Sequence, residues 1–537
     1  MTEVKKKSLL KSAAILGFAG LLVQVMGAIF RIPLGNIIGD EGMGYYQTAY
    51  PIYVALLVFS TNGAPAAISK MTSERIALGH YREAHRVFKL SFVLMAIMGI
   101  VLFLAIAICA KPIVYALGDG GAYYAMLAIS PALLFVPILS VFRGYFQGMQ
   151  DMGPTATSQL VEQAVRVGVG LSLAIILMKS SIEMAAAGAT FGTSIGPIFG
   201  IIVLVIIYLK KKQGIYELID KDESQEKESS GSILKTLALI AIPITIGVSI
   251  MPIINMGDLL VVMRRLQAIG FSTAEANALY GQLSGMAIPV VNVPMAMALS
   301  MALAMVPAVA AANSIGDKKS LDNNIKLGFR MSMIIGVPCS FGIIAMAEPV
   351  MKLLYPLQIE SAVSSAKCLL ILGFGVAFLC VGQTMAGTLQ GIGRPALAVW
   401  GIVLGFAVKC IASFQLIGMG AMSIEGAAWG SVLGFIAICV FNMMAVRKVT
   451  GVKQDIMLSV IKPFVSGLTM FVIVKGIYLI SIKILPFSIA TLFAVGVGVL
   501  TYGIMLLRIK AITADELILL PKGQGILRLL KKLRIVK

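Results

Sequence analysis

Arg143–Pro154 reads RGYFQGMQDMGP and joins two long apolar stretches through a short polar turn. From Ala386 to Pro395 the chain reads AGTLQGIGRP and makes the same kind of join. Gly144 and Gly387, Gln147 and Gln390, and Gly148 and Gly391 each stand 243 positions apart (387 − 144, 390 − 147, 391 − 148). Pro154 and Pro395 are 241 apart, so the second turn is two residues shorter. SIEMAAAGATFG from Ser181 returns as SIEGAAWGSVLG from Ser423, an offset of 242. Pro65 in PAAISKM and Pro307 in PAVAAAN share that offset. Agreement at three separate places points to a chain built twice over.

Of the 537 residues 58% are hydrophobic and 13% charged, with a mean hydropathy of +0.94. A soluble fold needs more polar surface than this to cover its core. Apolar runs of about 20 residues recur from end to end, the length a helix needs to span hydrocarbon. The alternation over about 10 residues that marks barrel strands is absent. The fold class expected is therefore an all-α polytopic membrane protein. Spans fit at about 9–38, 46–69, 87–110, 122–149, 154–178, 183–209, 233–263, 274–312, 327–347, 364–390, 395–416, 424–446, 455–482 and 486–507. That is about 14 helices: two six-helix lobes and an added pair. An even number per half gives both halves one orientation, as in parallel repeats about an axis along the membrane normal. The expected domains are 1–212 (first lobe), 213–232 (charged linker), 233–450 (second lobe), 451–510 (helices 13 and 14) and 511–537 (basic tail). Helix 8 is long enough to hold a break, for which Pro289, Pro294 and Pro307 are candidates.

The net charge of +19 is not spread as nucleic acid binding would require. Basic residues gather in alternate loops, at Lys5–Lys7, Lys70–Lys89, Lys210–Lys212, Lys318–Arg330, Arg447–Lys462 and the tail. The positive-inside rule makes that side cytoplasmic, with both termini on it. Lys5–Lys7 precede an apolar run with no A-x-A cleavage site, which reads as a retained first helix. The six cysteines are scattered and form no C-x-x-C, so neither a zinc site nor a disulfide framework is indicated. Lys210–Ser230 reads as a flexible linker between the halves. In Pro521–Lys537, Ile526, Leu527, Leu530 and Leu533 share a face opposite Arg528, Lys531, Lys532 and Arg534. That pattern suits a helix lying on anionic lipid, or a tail that only fixes orientation.

Gly192–Gly196, GTSIG, matches the nucleophile elbow but sits within Gly188, Gly192, Gly196 and Gly200, a ladder at every fourth residue. Gly426, Gly430 and Gly434 repeat the ladder in helix 12; both read as close-packing faces. The only histidines, His80 and His85, lie in a loop, and no Walker lysine motif is present, so no enzyme is expected.

Charges within spans carry more information, because an unpaired one at mid-membrane costs about 2.5–3.5 kcal/mol. Arg31 in helix 1 faces a wet cavity or reaches for the interface. Glu162 and Arg166 stand i, i+4 in helix 5, the spacing of an intrahelical ion pair. Helix 7 carries Asn255, Asp258, Arg264 and Arg265; its arginines also suit a helix end. Asn62, Gln282 and Asn292 add uncharged polar groups, either to a cavity or to interhelical bonding. Lys409 and Lys475 have room to snorkel. Basic groups outnumber acids in this set, which favours an anionic substrate.

GAIFRIPLGNIIGDEGMGYYQTAYP (27–51), NGAPAAISKMTSE (62–74) and RGYFQGMQDMGPTATSQLVEQAVRV (143–167) resemble the stage V sporulation protein B and polysaccharide-exporter group. That group belongs to the multidrug/oligosaccharidyl-lipid/polysaccharide transporter superfamily, with MurJ-type lipid II flippases as relatives. The resemblance implies a V-shaped pair of lobes around a cavity of alternating access. It also implies an arginine cluster for the substrate's pyrophosphate and a groove on helices 13 and 14 for a polyprenyl tail. Arg31 matches the helix 1 arginine of that cluster. The helix 2 position falls in Ala55–Val58 and the helix 8 position near Ser284, so Arg166 with Arg264 or Arg265 would supply the missing charge. The activity implied is flipping of an undecaprenyl-pyrophosphate-linked saccharide, foremost lipid II, to the outer leaflet of the cell membrane. Partners would be that lipid-linked saccharide, anionic membrane lipid and cell-wall synthesis enzymes, with no nucleic acid. No cofactor is expected, and a coupling H⁺ or Na⁺ is left open. An ion-coupled drug exporter using Glu162 and Asp258, or an exporter of another surface polysaccharide precursor, is the alternative. A wall-assembly glycosyltransferase would have to rely on Asp40 and Glu41 in Gly39–Gly44.

Overall fold

The computed structural model describes residues 3–222, 228–419 and 422–511, and its regular elements are all helical. The amphipathic helix expected over Pro521–Lys537 lies outside the described residues. Contacts divide the chain into two units, Met1–Gly281 and Gln282–Lys537. The first contains α1 (Glu3–Val58), α2 (Ala64–Ala77), α3 (Tyr81–Leu117), α4 (Tyr123–Gly148), α5 (Gly153–Leu177), α6 (Ile182–Asp220), α7 (Ser230–Ala268) and α8 (Thr273–Tyr280). The second contains α9 (Ile288–Ser314), α10 (Lys318–Leu354), α11 (Ile359–Gly391), α12 (Pro395–Ile417), α13 (Ser423–Thr450), α14 (Lys462–Ser481) and α15 (Phe487–Arg508).

Among the described residues eleven helical segments are long and apolar enough to cross a membrane, thirteen if each of two bent pairs counts as one span. The two expected first spans run together as α1, interrupted at Gly39, whose φ of +70° only glycine adopts freely. Three π-helical turns follow one rule. Phe59–Gly63, Gly281–Ala287 and Met457–Ile461 each end two residues before a proline: Pro65, Pro289 and Pro463. A proline ring clashes with the carbonyl four residues back and donates no N–H, and one widened turn relieves both. Where a break in helix 8 is expected, the helix only widens to a π turn before Pro289, within the single span Thr273–Ser314; Pro294 and Pro307 lie inside α9.

The stretch expected to be a flexible linker from Lys210 is helical to Asp220. Ile215 and Ile219 hold it there by packing into a core of Ile68, Met71, Phe88 and Phe146. Beyond it, Asp222 Oδ2 accepts the Arg82 N–H at 2.7 Å, Glu228 pairs with Arg75, and Arg86 Nη2 donates to Ser230 Oγ at 2.9 Å. α7 also packs in the first unit. A Cβ placed on Gly63 would fall 2.6 Å from the Ala241 carbonyl oxygen, so the π turn and α7 meet backbone to backbone.

The repeated glycines do repeated work. Cβ atoms on Gly144 and Gly148 of α4 would fall 2.9 and 2.8 Å from the carbonyl oxygens of Pro65 and Ser69. On Gly387 and Gly391 of α11 they would fall 2.4 and 2.8 Å from those of Ala302 and Val306. The partners are 237 positions apart (302 − 65, 306 − 69), not 242, so Pro65 and Pro307 are not equivalent in contact. Cβ atoms on Gly192 and Gly196 of α6 would lie 2.5 and 2.8 Å from the Arg166 and Glu162 carbonyl oxygens. Gly430 and Gly434 of α13 meet Lys409 O and Gly405 O of α12 in the same manner, at 3.0 and 2.9 Å. α14 and α15 pack on α10 around Met346, Met470, Val474 and Tyr502. Lys475 Nζ donates to the Ala345 carbonyl at 3.3 Å.

Candidate functional site

The turn after Gly148 leads from α4 into α5, and the two helices, each packed on α6, stay close near the turn. Arg143 is thereby brought onto Ser158 and Glu162. Its Nε donates to Ser158 Oγ at 3.0 Å and its Nη2 to Glu162 Oε2 at 2.7 Å. This corrects the i, i+4 reading: the partner of Glu162 is Arg143 from the neighbouring helix, and not Arg166. A cross-helix guanidinium aimed at the carboxylate competes successfully with a local pair worth only about 0.2–0.5 kcal/mol.

Arg166 turns instead to tyrosines. Tyr46, Tyr50 and Tyr53 follow one another at four and three residues along α1 and form one stripe. Tyr46 and Tyr50 stack at 5.8 Å between ring centres, and Tyr53 continues the column at 5.9 Å. Arg166 Nη2 donates to Tyr46 Oη at 3.0 Å, and its Cζ lies 5.2 Å over the Tyr50 ring. Arg31, beside Phe30 on the same helix, acts electrostatically on Tyr50 as Arg166 does. Phe30 packs on Tyr46 at 6.2 Å. Among the described residues no carboxylate pairs with Arg31 or Arg166, and the buried Arg166 Nε has no hydrogen-bond partner. Phenol and ring contacts orient a guanidinium and leave its charge in place. The first unit therefore holds one guanidinium, Arg166, oriented by the aromatic column, a second cation, Arg31, acting on the same Tyr50, and a neighbouring acid, Glu162, paired with Arg143. Chemically, such an arrangement can accept an anion.

The remaining candidates scatter. Asn62 lies on the exposed face of the Phe59–Gly63 turn and donates to Thr61 Oγ1 at 2.9 Å. Asn255 is exposed on α7, while Asp258 and Arg265 are engaged with partners. Arg264 is a fastener: its Nη2 donates to the Ala116 carbonyl at the end of α3. Gln282 and Asn292 belong to the second unit, where Gln282 Oε1 accepts from Ser364 Oγ at 2.7 Å and Asn292 is half-buried. Ser194 of GTSIG donates to the Ala128 carbonyl at 2.7 Å, which makes it a packing residue. Sequence reasoning missed Arg143 and the tyrosines. Nearness to the turn was the available signal for the first, and the spacing of Tyr46, Tyr50 and Tyr53 for the second.

The model of the polysaccharide biosynthesis protein family matches residues 9–313, and the MatE model matches residues 283–414. Stage V sporulation protein B of Bacillus subtilis (strain 168) is 26% identical over 83% of this chain and 84% of its own. The lipid II flippase MurJ of the same organism is 26% identical over 84% of each chain. In three dimensions the chain is similar to a lipid II flippase MurJ in an inward closed conformation. The TM-score is 0.67 at 14% identity, covering 92% of this chain and 98% of that one.

Proposed function

The chain belongs to the polysaccharide biosynthesis protein family, within the multidrug/oligosaccharidyl-lipid/polysaccharide transporter superfamily, and on that premise we propose that it flips a polyprenyl-pyrophosphate-linked saccharide across the cell membrane. Lipid II is the leading substrate, and the direction is from the inner to the outer leaflet. The observation that carries this reading is Arg166, held by Tyr46 and Tyr50 with no carboxylate paired to it among the described residues, and Arg31 acting on the same Tyr50. A drug exporter built for cations would not leave two such arginines uncompensated. The pyrophosphate would sit on these guanidinium groups, the sugars in water beside them and the polyprenyl chain in lipid along α14 and α15. The charge bias supports a cytoplasmic location for both termini.

The test uses full-length protein in proteoliposomes with a defined polyprenyl-pyrophosphate saccharide. Arg31→Ala and Arg166→Ala each lower the flipping rate by at least about tenfold, the equivalent of about 1.4 kcal/mol. Unchanged rates at wild-type protein levels would remove both residues from the substrate path. Varying the saccharide on one pyrophosphate carrier then ranks lipid II against other surface polysaccharide precursors. The MatE match over residues 283–414 favours one second reading, an ion-coupled exporter of small cations. Ethidium efflux that collapses in Asp258→Asn would support it, and absence of efflux would dispose of it.

A further inference from the structure

The α3–α4 turn holds a carboxyl group that the proposed transport reaction does not use. Asp119 is fully buried, and among the described residues no lysine, arginine or histidine pairs with it. Its nearest polar groups are the Thr48 hydroxyl and the Ala122 N–H. Neither carboxylate oxygen is hydrogen-bonded in the conformation seen, and Thr48 Oγ1 also lacks a partner. An ionised carboxylate buried in this way loses its water and, among the described residues, has no paired cation to offset the loss.

The turn is also clasped. Arg264 Nη2 and Gln267 Nε2, both on α7, donate to the carbonyl oxygens of Ala116 and Gly118, immediately before Asp119. Gly118 has a φ of +78°, and a Cβ on Gly121 would stand 2.3 Å from the Tyr45 ring, so the turn fits its seat in one way only. The seat itself is tied together. Tyr45 Oη donates to Glu41 Oε1 at 2.7 Å, and Asn277 Nδ2 of α8 donates to the Glu41 carbonyl at 2.8 Å. One short turn thus gathers α1, α3, α4, α7 and α8 at the end of the unit opposite the charged stretch, a whole α3 away.

We infer that Asp119 is a proton-binding site and that its protonation closes the clasp between α7 and the α3–α4 turn. The protonated carboxyl is neutral and can stay buried against Thr48 while Arg264 and Gln267 hold the turn. When the proton leaves for water, the carboxylate draws the turn out of its seat and α7 loses two fastenings. The titratable side chains along the surrounding elements are Glu41 and Tyr45 on α1, Tyr115 on α3, Tyr123 on α4, Glu183 on α6 and Arg264 on α7. Of these Glu41 and Tyr45 interact with the carboxyl, and the negative charge of Glu41 also favours the proton. Arg264 is taken up by Ala116. Burial pushes Asp119 up from 3.8 to about 6 against the lowering pull of the Thr48 hydroxyl and the Ala122 N–H, and Glu41 adds a smaller upward push. A carboxyl raised in the closed form makes that form most stable below 3.8, and the advantage is lost as pH rises through about 6. The device is independent of which substrate is carried.

Amide hydrogen exchange on the full chain in nanodiscs, corrected for intrinsic chemistry, reads the clasp directly. Protection of residues 117–122 should fall between pH 4 and 6 by up to about tenfold per pH unit and then level off. Asp119→Asn, which keeps the shape of the neutral acid, should remain protected with no slope, and Gln267→Ala should lower protection at every pH. A flat profile in the wild type overturns the proposal. So does a slope in Asp119→Asn equal to that of the wild type.

Discussion

Arg143 and Arg166 are both arginines beside one glutamate, and their difference in role comes from which of them the glutamate reaches. Glu162 of α5 pairs with Arg143 of α4, and the exposure of that pair is low, 25% and 17% of the side chains. Removing Arg143 leaves a half-buried carboxylate without a cation, and the nearest replacement is Arg166, one helical turn along α5. Arg143→Ala is therefore expected to slow flipping by about tenfold, although Arg143 lies outside the tyrosine column. Adding Glu162→Gln to that variant removes the competitor and should restore most of the rate. Flipping assays on the single and double variants decide this. A double variant no better than Arg143→Ala would show that Arg143 acts by some other route. Tyr46→Phe, which removes one hydrogen bond from Arg166, is expected to cost the transport step about 1.5–3 kcal/mol at most. Its folding yield should stay that of the wild type. At this scale the sequence was legible as to which residues carry charge, and misleading as to their pairing. Local spacing favours i, i+4, but the turn at Met149–Met152 delivers a partner from 19 positions away.

Helices and their breaks are more open to reading than side-chain pairs, because glycine and proline act through the backbone. The duplicated turn singles out Gly144, Gly148, Gly387 and Gly391 from the letters alone, and all four are points where one helix touches the carbonyls of another. The third echo, Pro65 with Pro307, is a match of letters without a match of contacts. Small residues recur on any closely packed helix, and register between helices is set by the shape of both faces. The π turns were invisible, since widening a turn needs no particular residue beyond the proline that follows it. Gly387→Ala places a methyl group where the Ala302 carbonyl already lies at 2.4 Å, so α11 and α9 must separate. Overpacking of this kind costs about 1–3 kcal/mol. Gly476 of α14 has nothing within 4 Å of its Cβ position, and Gly476→Ala is expected to be neutral or stabilising by up to about 1 kcal/mol. Thermal inactivation half-lives of the purified protein should order the variants as Gly476→Ala, then wild type, then Gly387→Ala.

For the whole molecule, the repeat divides the chain at the charged stretch, whereas contacts divide it at Gly281. Sequence records the duplication, but α7 goes where its surface fits, against Gly63 and the α3–α4 turn. Transport adds a further consequence at this scale. The substrate proposed carries its charge on the pyrophosphate, and moving one charge across the membrane is worth about 2.3 kcal/mol per 100 mV. If Arg31 and Arg166 cancel that charge, the loaded protein crosses the field almost neutral. The voltage then acts on the return step, in which two uncompensated guanidinium groups travel back towards the negative inside. Replacing Arg166 with alanine moves part of the field dependence from the return step to the loaded one. The final distribution of substrate between leaflets must respond to voltage identically in both proteins, because it depends only on the charge carried per cycle. Their kinetics need not agree. In single-turnover flipping from preloaded protein, the wild-type rate is expected to be nearly independent of an imposed potential. The rate of Arg166→Ala should rise several-fold when the receiving side is made positive. Equal voltage dependence of the two single-turnover rates would mean that Arg166 does not accompany the substrate's charge.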